Sequence, residues 1–301
     1  MANETILVTG ATGQVGRRLV PKLLAWREPG DEIRVLVRSA EAAERFAALG
    51  ARTVVGDLTE TADRKRALDG AALVVNSAAT FRGQGVTAAD MYAVNRDAAV
   101  ALARESAQSG VRRFVQVSTN LVYGPSVGRP AREDDELRAV IGGEAELRSA
   151  YPASKRECED QLRELSAQLG LDVVSLRLAF VYGEGDPHIE NILPLFGFGN
   201  RPAHQQQGMV HHADVAQAVQ RALRATRAGA SYSAYNVAGD GGSTVYELFE
   251  LVGQSMDLAA AEGKSVADPW FGLTDTTRAY RELGFRAIYP SAKAAWRDGA
   301  L

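Results

Sequence analysis

Residues Thr5 to Gly16 read TILVTGATGQVG: an apolar run of strand formers, glycines at 10, 13 and 16, then the start of a helical pattern. A buried parallel strand that turns tightly into a helix brings backbone N–H groups and the positive end of the helix dipole to one point, where a pyrophosphate can bind. Gly10 allows the turn, Gly13 lets a phosphate approach the main chain, and Gly16 lets helix and strand pack closely. No Gly-Lys-Ser/Thr follows, so a P-loop is a poor match. A glycine turn without a ligand would use the same residues, and the rest of the chain has to separate the two readings.

Working outward, Val15, Leu19, Leu23 and Leu24 form one stripe over Gln14 to Trp26, with Pro21 inside it predicting a bend or a late regular start. EIRVLVRS is a second buried strand, Ala40 to Leu49 a helix, Thr53 to Val55 a short strand, and a third helix runs through Arg66 to Leu68. The strand AALVVNSAA, a long helix from about Thr87 to Ser109 and the strand VRRFVQVST continue the alternation. This order predicts an α/β fold: a doubly wound parallel sheet with helices on both faces. From Gly124 to Ala150 the pattern dissolves into a surface loop whose acidic run, Glu133 to Glu136, reads as a solvated charge cluster.

The second strand ends Val37-Arg38-Ser39. An acidic residue there favours the ribose hydroxyl of NAD, whereas a guanidinium can pair with the extra phosphate of NADP. Arg38 therefore favours NADP over NAD.

Composition narrows the partners. The 301 residues are 46% apolar with a formal charge of −3, enough for a sizeable core and without a basic face for nucleic acid or an anionic membrane. Cys158 is the only cysteine, which leaves no intramolecular disulfide or thiol-rich metal site and fits a reducing compartment. The start lacks a signal-peptide pattern and no apolar run reaches membrane-span length. A cytoplasmic protein acting on a small molecule is expected.

Tyr151-Pro-Ala-Ser-Lys155 opens an amphipathic helix through Leu162, Leu165 and Leu169, with proline in its first turn and Gly170 at its end. The four-residue spacing puts Tyr151 and Lys155 on one face. A nearby ammonium and a cationic nicotinamide both lower a phenol's pKa, so Tyr151 can exchange a proton with a substrate oxygen while hydride moves. Ser118-Thr119 place hydroxyls at the carboxyl end of a parallel strand, the edge where such sheets bind ligands. Alone these would be strand-end caps; beside the glycine loop and the Tyr/Lys helix they form a catalytic constellation.

These motifs, with Gly56-Asp57-Leu58, Asn76 to Ala79, Asn95, STNLVYG, LRLAFVYG and VHHAD ending at Asp214, run along nearly the whole chain. The sequence resembles the extended short-chain dehydrogenases/reductases, the NAD-dependent epimerase/dehydratase family. The resemblance implies a Rossmann-like dinucleotide domain, residues 1–178, and a smaller substrate lobe, 179–301, with some segments returning to the first. It implies Tyr151 as acid/base, Lys155 as its partner on the cofactor ribose, and Thr119 as the assisting hydroxyl. Gly10, Thr12, Gly13, Gln14, Val15, Gly16, Arg38, Asp57, Leu58, Ala78, Asn95 and Lys155 are the implied cofactor contacts, and a homodimer through a helical face is compatible with it.

Departures bear on the substrate. Sugar-nucleotide dehydratases of the family carry Asp-Glu after the threonine; here stand Asn120 and Leu121, and leucine cannot move a proton. Two positions that face the diphosphate in the epimerases hold Phe180 and Gln207, poor phosphate ligands, although Glu190 to Pro194 resembles an epimerase stretch. Phe196, Phe198, Met209, Trp270 and Phe271 are pocket candidates for which core packing is the default. His211 and His212 are adjacent, so their side chains diverge and no metal site is expected. AYNVAGDGGSTVYELFELV reads as a strand, a glycine turn and a helix capped by Ser243 or Thr244. The expected activity is interconversion of a secondary alcohol and a ketone with NAD(P); the alternatives are a sugar-nucleotide epimerase with tightly held NAD and a dinucleotide-sensing regulator.

Overall fold

The computed structural model describes residues 3–81, 85–139, 146–187, 189–190, 201–226 and 231–301 and, apart from 146–148, their side chains. Phe196, Phe198 and the stretch 191–194 lie outside the described residues. Strands β1 (Thr5–Thr9), β2 (Glu32–Val37), β3 (Arg52–Val55), β4 (Leu73–Asn76), β5 (Arg113–Thr119), β6 (Asp172–Leu178) and β10 (Tyr232–Val237) form one parallel sheet in the order β10-β6-β5-β4-β1-β2-β3. The chain leaves β1 in one direction for β2 and β3 and returns to its other side for β4, so a topological switch lies between β1 and β4.

The inner strands are buried on both faces, whereas the edge strand β3 stays partly exposed. In β1, Ile6 and Val8 pack under α1 (Gly16–Trp26), α2 (Ala40–Ala48) and α7 (His212–Arg224), while Leu7 points into the opposite layer with α3 (Thr61–Leu68), α5 (Ala99–Gln108) and α6 (Glu146–Leu169). A third, smaller cluster joins Tyr182 of β7 (Phe180–Tyr182) and Met209 of β9 (Met209–His211) to Val245, Leu248 and Phe249. Its helix Val245–Leu251 is capped by Thr244, with Glu247 closing a capping box.

α1 has the late regular start expected, at Gly16, and runs through Pro21, which forfeits only the bond its N–H would give to the Arg17 carbonyl. Two elements differ from the sequence reading. First, the long helix expected from Thr87 is α4 (Ala88–Tyr92), a π-helical turn over Ala93–Ala98, then α5. Second, α6 begins at Glu146, before Tyr151, and Pro152 lies inside it rather than in its first turn. Glu, Leu, Arg and Ala are strong helix formers, and their stretch before Tyr151 carries the helix through the proline. Gly170, at φ 69°, ends α6 as expected. Among the described residues no helix is long and apolar enough to cross a membrane.

Candidate active site

The glycine loop has the shape a dinucleotide needs. Gly10 sits at φ 70°, and a Cβ there would lie 2.4 Å from the Ala78 nitrogen, so this loop and the end of β4 are in direct contact at the switch point. A Cβ on Gly16 would lie 2.1 Å from the Gly10 carbonyl oxygen. Thr12, Gly13 and Gln14 are exposed, and no side chain caps the first turn of α1, where Arg17 N and Arg18 N turn back to the Gly13 and Val15 carbonyls at 3.0 and 3.2 Å. These residues fit a dinucleotide pyrophosphate.

Beside the glycine loop's strand, Arg38 is exposed at the tip of β2 and lies near Asp57. The Asp57 carboxylate accepts from Thr59 N and Oγ1, both at 2.8 Å, and these bonds with the nearby Arg38 hold it below the usual carboxylate range. Leu58 is buried beside it. Ser39 spends its hydroxyl on α2, accepting from Ala42 N.

Toward the catalytic end, a chain of hydrogen bonds crosses the carboxyl edge of the sheet. Thr9 Oγ1 donates to Asn76 Oδ1 at 2.5 Å, Asn76 Nδ2 to Gln116 Oε1 at 2.9 Å, and Gln116 Nε2 to the Val117 carbonyl at 2.9 Å. Lys155 Nζ donates to that same carbonyl at 3.0 Å, which seats α6 against β5 two residues before Thr119. One helical turn earlier, the half-buried Tyr151 ring meets Phe81 edge-on at 4.7 Å. The π-turn rotates Asn95 inward: its side chain accepts from Thr80 N, donates to Thr80 O and donates to Ser154 Oγ, so it holds the β4 loop to α6. Thr119 is buried and its Oγ1 accepts from Leu121 N at 3.3 Å, so it also caps the short turn Asn120–Tyr123.

The electrostatics correct one expectation. Burial pushes the Tyr151 phenol up to about 12, and Lys155 is not among the causes that move it. The Lys155 ammonium is itself lowered by its burial. Without ligand, Tyr151 is therefore a protonated phenol at neutral pH, ready to donate.

Sequence reasoning missed the support behind this site. Glu159, one turn beyond Lys155, is fully buried and receives Ser118 Oγ at 2.5 Å, Tyr232 OH at 2.7 Å and Arg177 NH2 at 2.7 Å. Burial raises its pKa, but Arg177 and these hydrogen bonds outweigh that and hold it below the usual range. Arg177 NH1 continues to Tyr123 OH at 2.8 Å, and Tyr123 OH donates to Asn236 Oδ1 at 2.7 Å. Glu133 belongs to this network, accepting from Asn236 N at 2.9 Å, so the acidic run is not uniformly solvated. Glu159 shares the four-residue spacing that links Tyr151 to Lys155, the one signal that could have found it.

A second missed contact is Arg18 of α1. Its guanidinium donates twice to the Glu184 carbonyl, at 3.0 and 2.9 Å, and to Gln14 Oε1 at 2.9 Å, tying the glycine loop to a residue held at φ 55°. His212 Nε2 pairs with Asp186 and His211 Nε2 with the Ala300 carbonyl, each at 2.8 Å, so the two rings point to different partners. Met209 is core, whereas Trp270 and Phe271 are 39% and 37% exposed, against the default of packing them inside.

A family model, the NAD dependent epimerase/dehydratase family, matches residues 6–238, and the chain belongs to that family of enzymes. It is 31% identical over 182 residues to a 4-hydroxy-2-methyl-3-oxo-4-farnesyl-3,4-dihydroquinoline-1-oxide ketoreductase of Stigmatella aurantiaca, covering 60% of this chain and 51% of that one. It is 31% identical over 188 residues to a UDP-glucose 4-epimerase of Vibrio cholerae, covering 60% and 53%. The chain thus spans about half the length of these curated relatives. A short-chain dehydrogenase/reductase superfamily protein from Agrobacterium tumefaciens, solved with bound NAD, shares the fold at a TM-score of 0.74, 20% identity and 98% coverage of both chains.

Proposed function

We propose that this protein interconverts a secondary alcohol and a ketone, with the dinucleotide lying on the 1–178 portion and the substrate covered from 179–301. The observation that carries this reading is the convergence of α6 and β5: Lys155 fixed on the Val117 carbonyl, Thr119 two residues further, and Tyr151 one turn up the same helix face. NAD(P), held by the glycine loop and Ala78, would supply or take up the hydride; Asn95, buried and bonded to Thr80 and Ser154, acts from behind by fixing the loop after β4. In reduction the protonated Tyr151 hydroxyl gives its proton to the carbonyl oxygen, Thr119 Oγ1 orients that oxygen, and Lys155, bonded to the Val117 carbonyl, fixes the helix face that carries the phenol. Arg38 at the tip of β2 supports NADP as the preferred form. The ketoreductase relative from Stigmatella aurantiaca supports net reduction.

A second reading, epimerisation of a sugar nucleotide with NAD retained between half-reactions, rests on the Vibrio cholerae relative. The same tyrosine would remove and return one proton, and the purified protein would carry bound NAD without consuming added cofactor. Dehydration is disfavoured in either case, because Leu121 offers no acid or base.

Replacing Tyr151 by Phe tests the assignment. Turnover should fall by about a thousandfold, within the range general acid catalysis supplies, while dinucleotide Kd changes by less than about twofold. Retained turnover rejects Tyr151 as the acid/base.

A further inference from the structure

Beside the Tyr151 phenol, the loop after β4 carries an aromatic ring whose place is fixed from behind. Both main-chain groups of Thr80 are held by one side chain: Thr80 N donates to Asn95 Oδ1 at 2.8 Å, and Asn95 Nδ2 donates to the Thr80 carbonyl at 2.9 Å. That amide also donates to Ser154 Oγ at 3.1 Å, and Ser154 Oγ donates to the Tyr151 carbonyl at 2.9 Å. Phe81 follows Thr80, and its ring lies 4.7 Å from the Tyr151 ring, centroid to centroid, at an interplanar angle of 83°. Phe81, Thr80, Asn95, Ser154 and Tyr151 therefore close a circuit of contacts.

This ring pair is not an extension of the core. Asn95 and Ser154 are fully buried, whereas Phe81 and Tyr151 are half-buried, and among the described residues neither ring packs into any of the three apolar clusters. Core packing does not account for the position of Phe81; the clamp on Thr80, one residue away, does. Perpendicular aromatic rings at this separation lie in a favourable geometry, so each restricts the rotation of the other. Apolar carbon against a phenol also keeps water from it, and burial, with no charge or hydrogen bond contributing, is what raises Tyr151.

Resting on the reading of Tyr151 as the acid/base, we infer that Phe81 is its positioning residue: the clamp of Asn95 and Ser154 sets the Phe81 ring against the phenol, fixes the orientation of Tyr151 and shields that side of it from water. The π-helical turn that brings Asn95 inward thus acts on the acid/base at one remove, through Thr80 and Phe81.

Fluorine NMR tests this without any substrate. Protein grown on ring-fluorinated tyrosine carries nine labels, and the resonance missing from Tyr151→Phe is that of Tyr151. Fluorine also acidifies the phenol, which brings its titration to lower pH. Two variants separate orientation from shielding. Phe81→Leu removes the ring but keeps apolar bulk, so the Tyr151 resonance should move by more than about 0.3 ppm while its titration stays within about 0.3 pH of the wild type. Phe81→Ala opens that side to water, so the resonance should move and the titration midpoint should fall by about one pH unit or more. Both replacements lie outside the apolar clusters, and the dinucleotide Kd should stay within about twofold. With NADPH and a panel of ketones, Phe81→Ala should lower kcat about tenfold and change KM by less than about threefold. A Tyr151 resonance unmoved in both variants, an unaltered titration in Phe81→Ala, or a Phe81→Ala kcat within about twofold of the wild type overturns the inference. If the resonance and titration move as expected but Tyr151→Phe keeps its turnover, the clamp stands and the acid/base reading falls. If Tyr151→Phe loses turnover while both Phe81 variants match the wild type, the acid/base reading stands and the role of Phe81 falls.

Discussion

The carboxyl ends of β4 to β6 and the segment 266–290 are built on opposite terms. Beneath the strand ends, Asn76, Gln116, Ser118, Glu159 and Arg177 are all buried and bonded to one another or to main chain, so Thr119 and Lys155 stand on a rigid polar layer. In the segment 266–290, Trp270, Phe271, Tyr280 and Ile288 are exposed, while Asp268, Gly272, Asp275 and the Ile288 amide bond it to the loops 120–131 and to Asp214. The difference teaches that polar groups in this fold are fixed by pairing among themselves beneath the strand ends, whereas the carboxyl-terminal segment keeps large apolar side chains at its surface.

The sharpest way to break this contrast is Glu159→Gln. Removing the carboxylate leaves the Arg177 guanidinium buried without its counter-ion, which should cost about 3–5 kcal/mol in urea denaturation. A loss below about 1 kcal/mol would show that the layer is not the rigid support described.

The second region has its own anchor with a pH signature. Burial raises Asp214 to about 6, against backbone N–H groups of Ile288 and Tyr289 that pull it down. The folded chain then holds that proton more tightly than the unfolded one. Stability from this group is full below a pH of about 4 and is lost as pH rises through about 6, by roughly 3 kcal/mol. Asp214→Asn keeps an acceptor for Ile288 N–H and should flatten that decline; parallel pH profiles for the two proteins would reject it.

A smaller effect is expected at the adenosine rim. Arg38→Ala should weaken NADP binding about tenfold, the loss of a charge-assisted pair to phosphate, and leave NAD within about twofold. Titration of both dinucleotides by fluorescence decides it, and equal NADP affinity in the two proteins removes the role of Arg38.

Local features were legible in the sequence. The glycine loop announced itself because only glycine satisfies the positive φ of Gly10 and the close approach of Gly16, and the strand–helix alternation followed from uninterrupted apolar runs such as VLV and LVV. Partnerships that depend on register were not. Arg177 lies opposite Ser118 only because β5 and β6 pair at that register, and this brings it to Glu159. The π-turn at Asn95 alters one turn of a helix without changing its composition. The raised Tyr151 phenol arises from burial, which no spacing reveals. Likewise, Glu133 looks like its acidic neighbours until Asn236 of β10 is brought beside it.

The central claim is that hydride passes directly between a nicotinamide coenzyme and the carbon whose oxygen meets Tyr151. The protein should be incubated with a panel of ketones and NADPH bearing deuterium at the transferable position, and the product alcohols analysed by mass spectrometry. The account predicts one deuterium on the carbinol carbon from the wild-type protein and almost no alcohol from Tyr151→Phe. No deuterated alcohol from the wild type, or an equal yield from the variant, would contradict it.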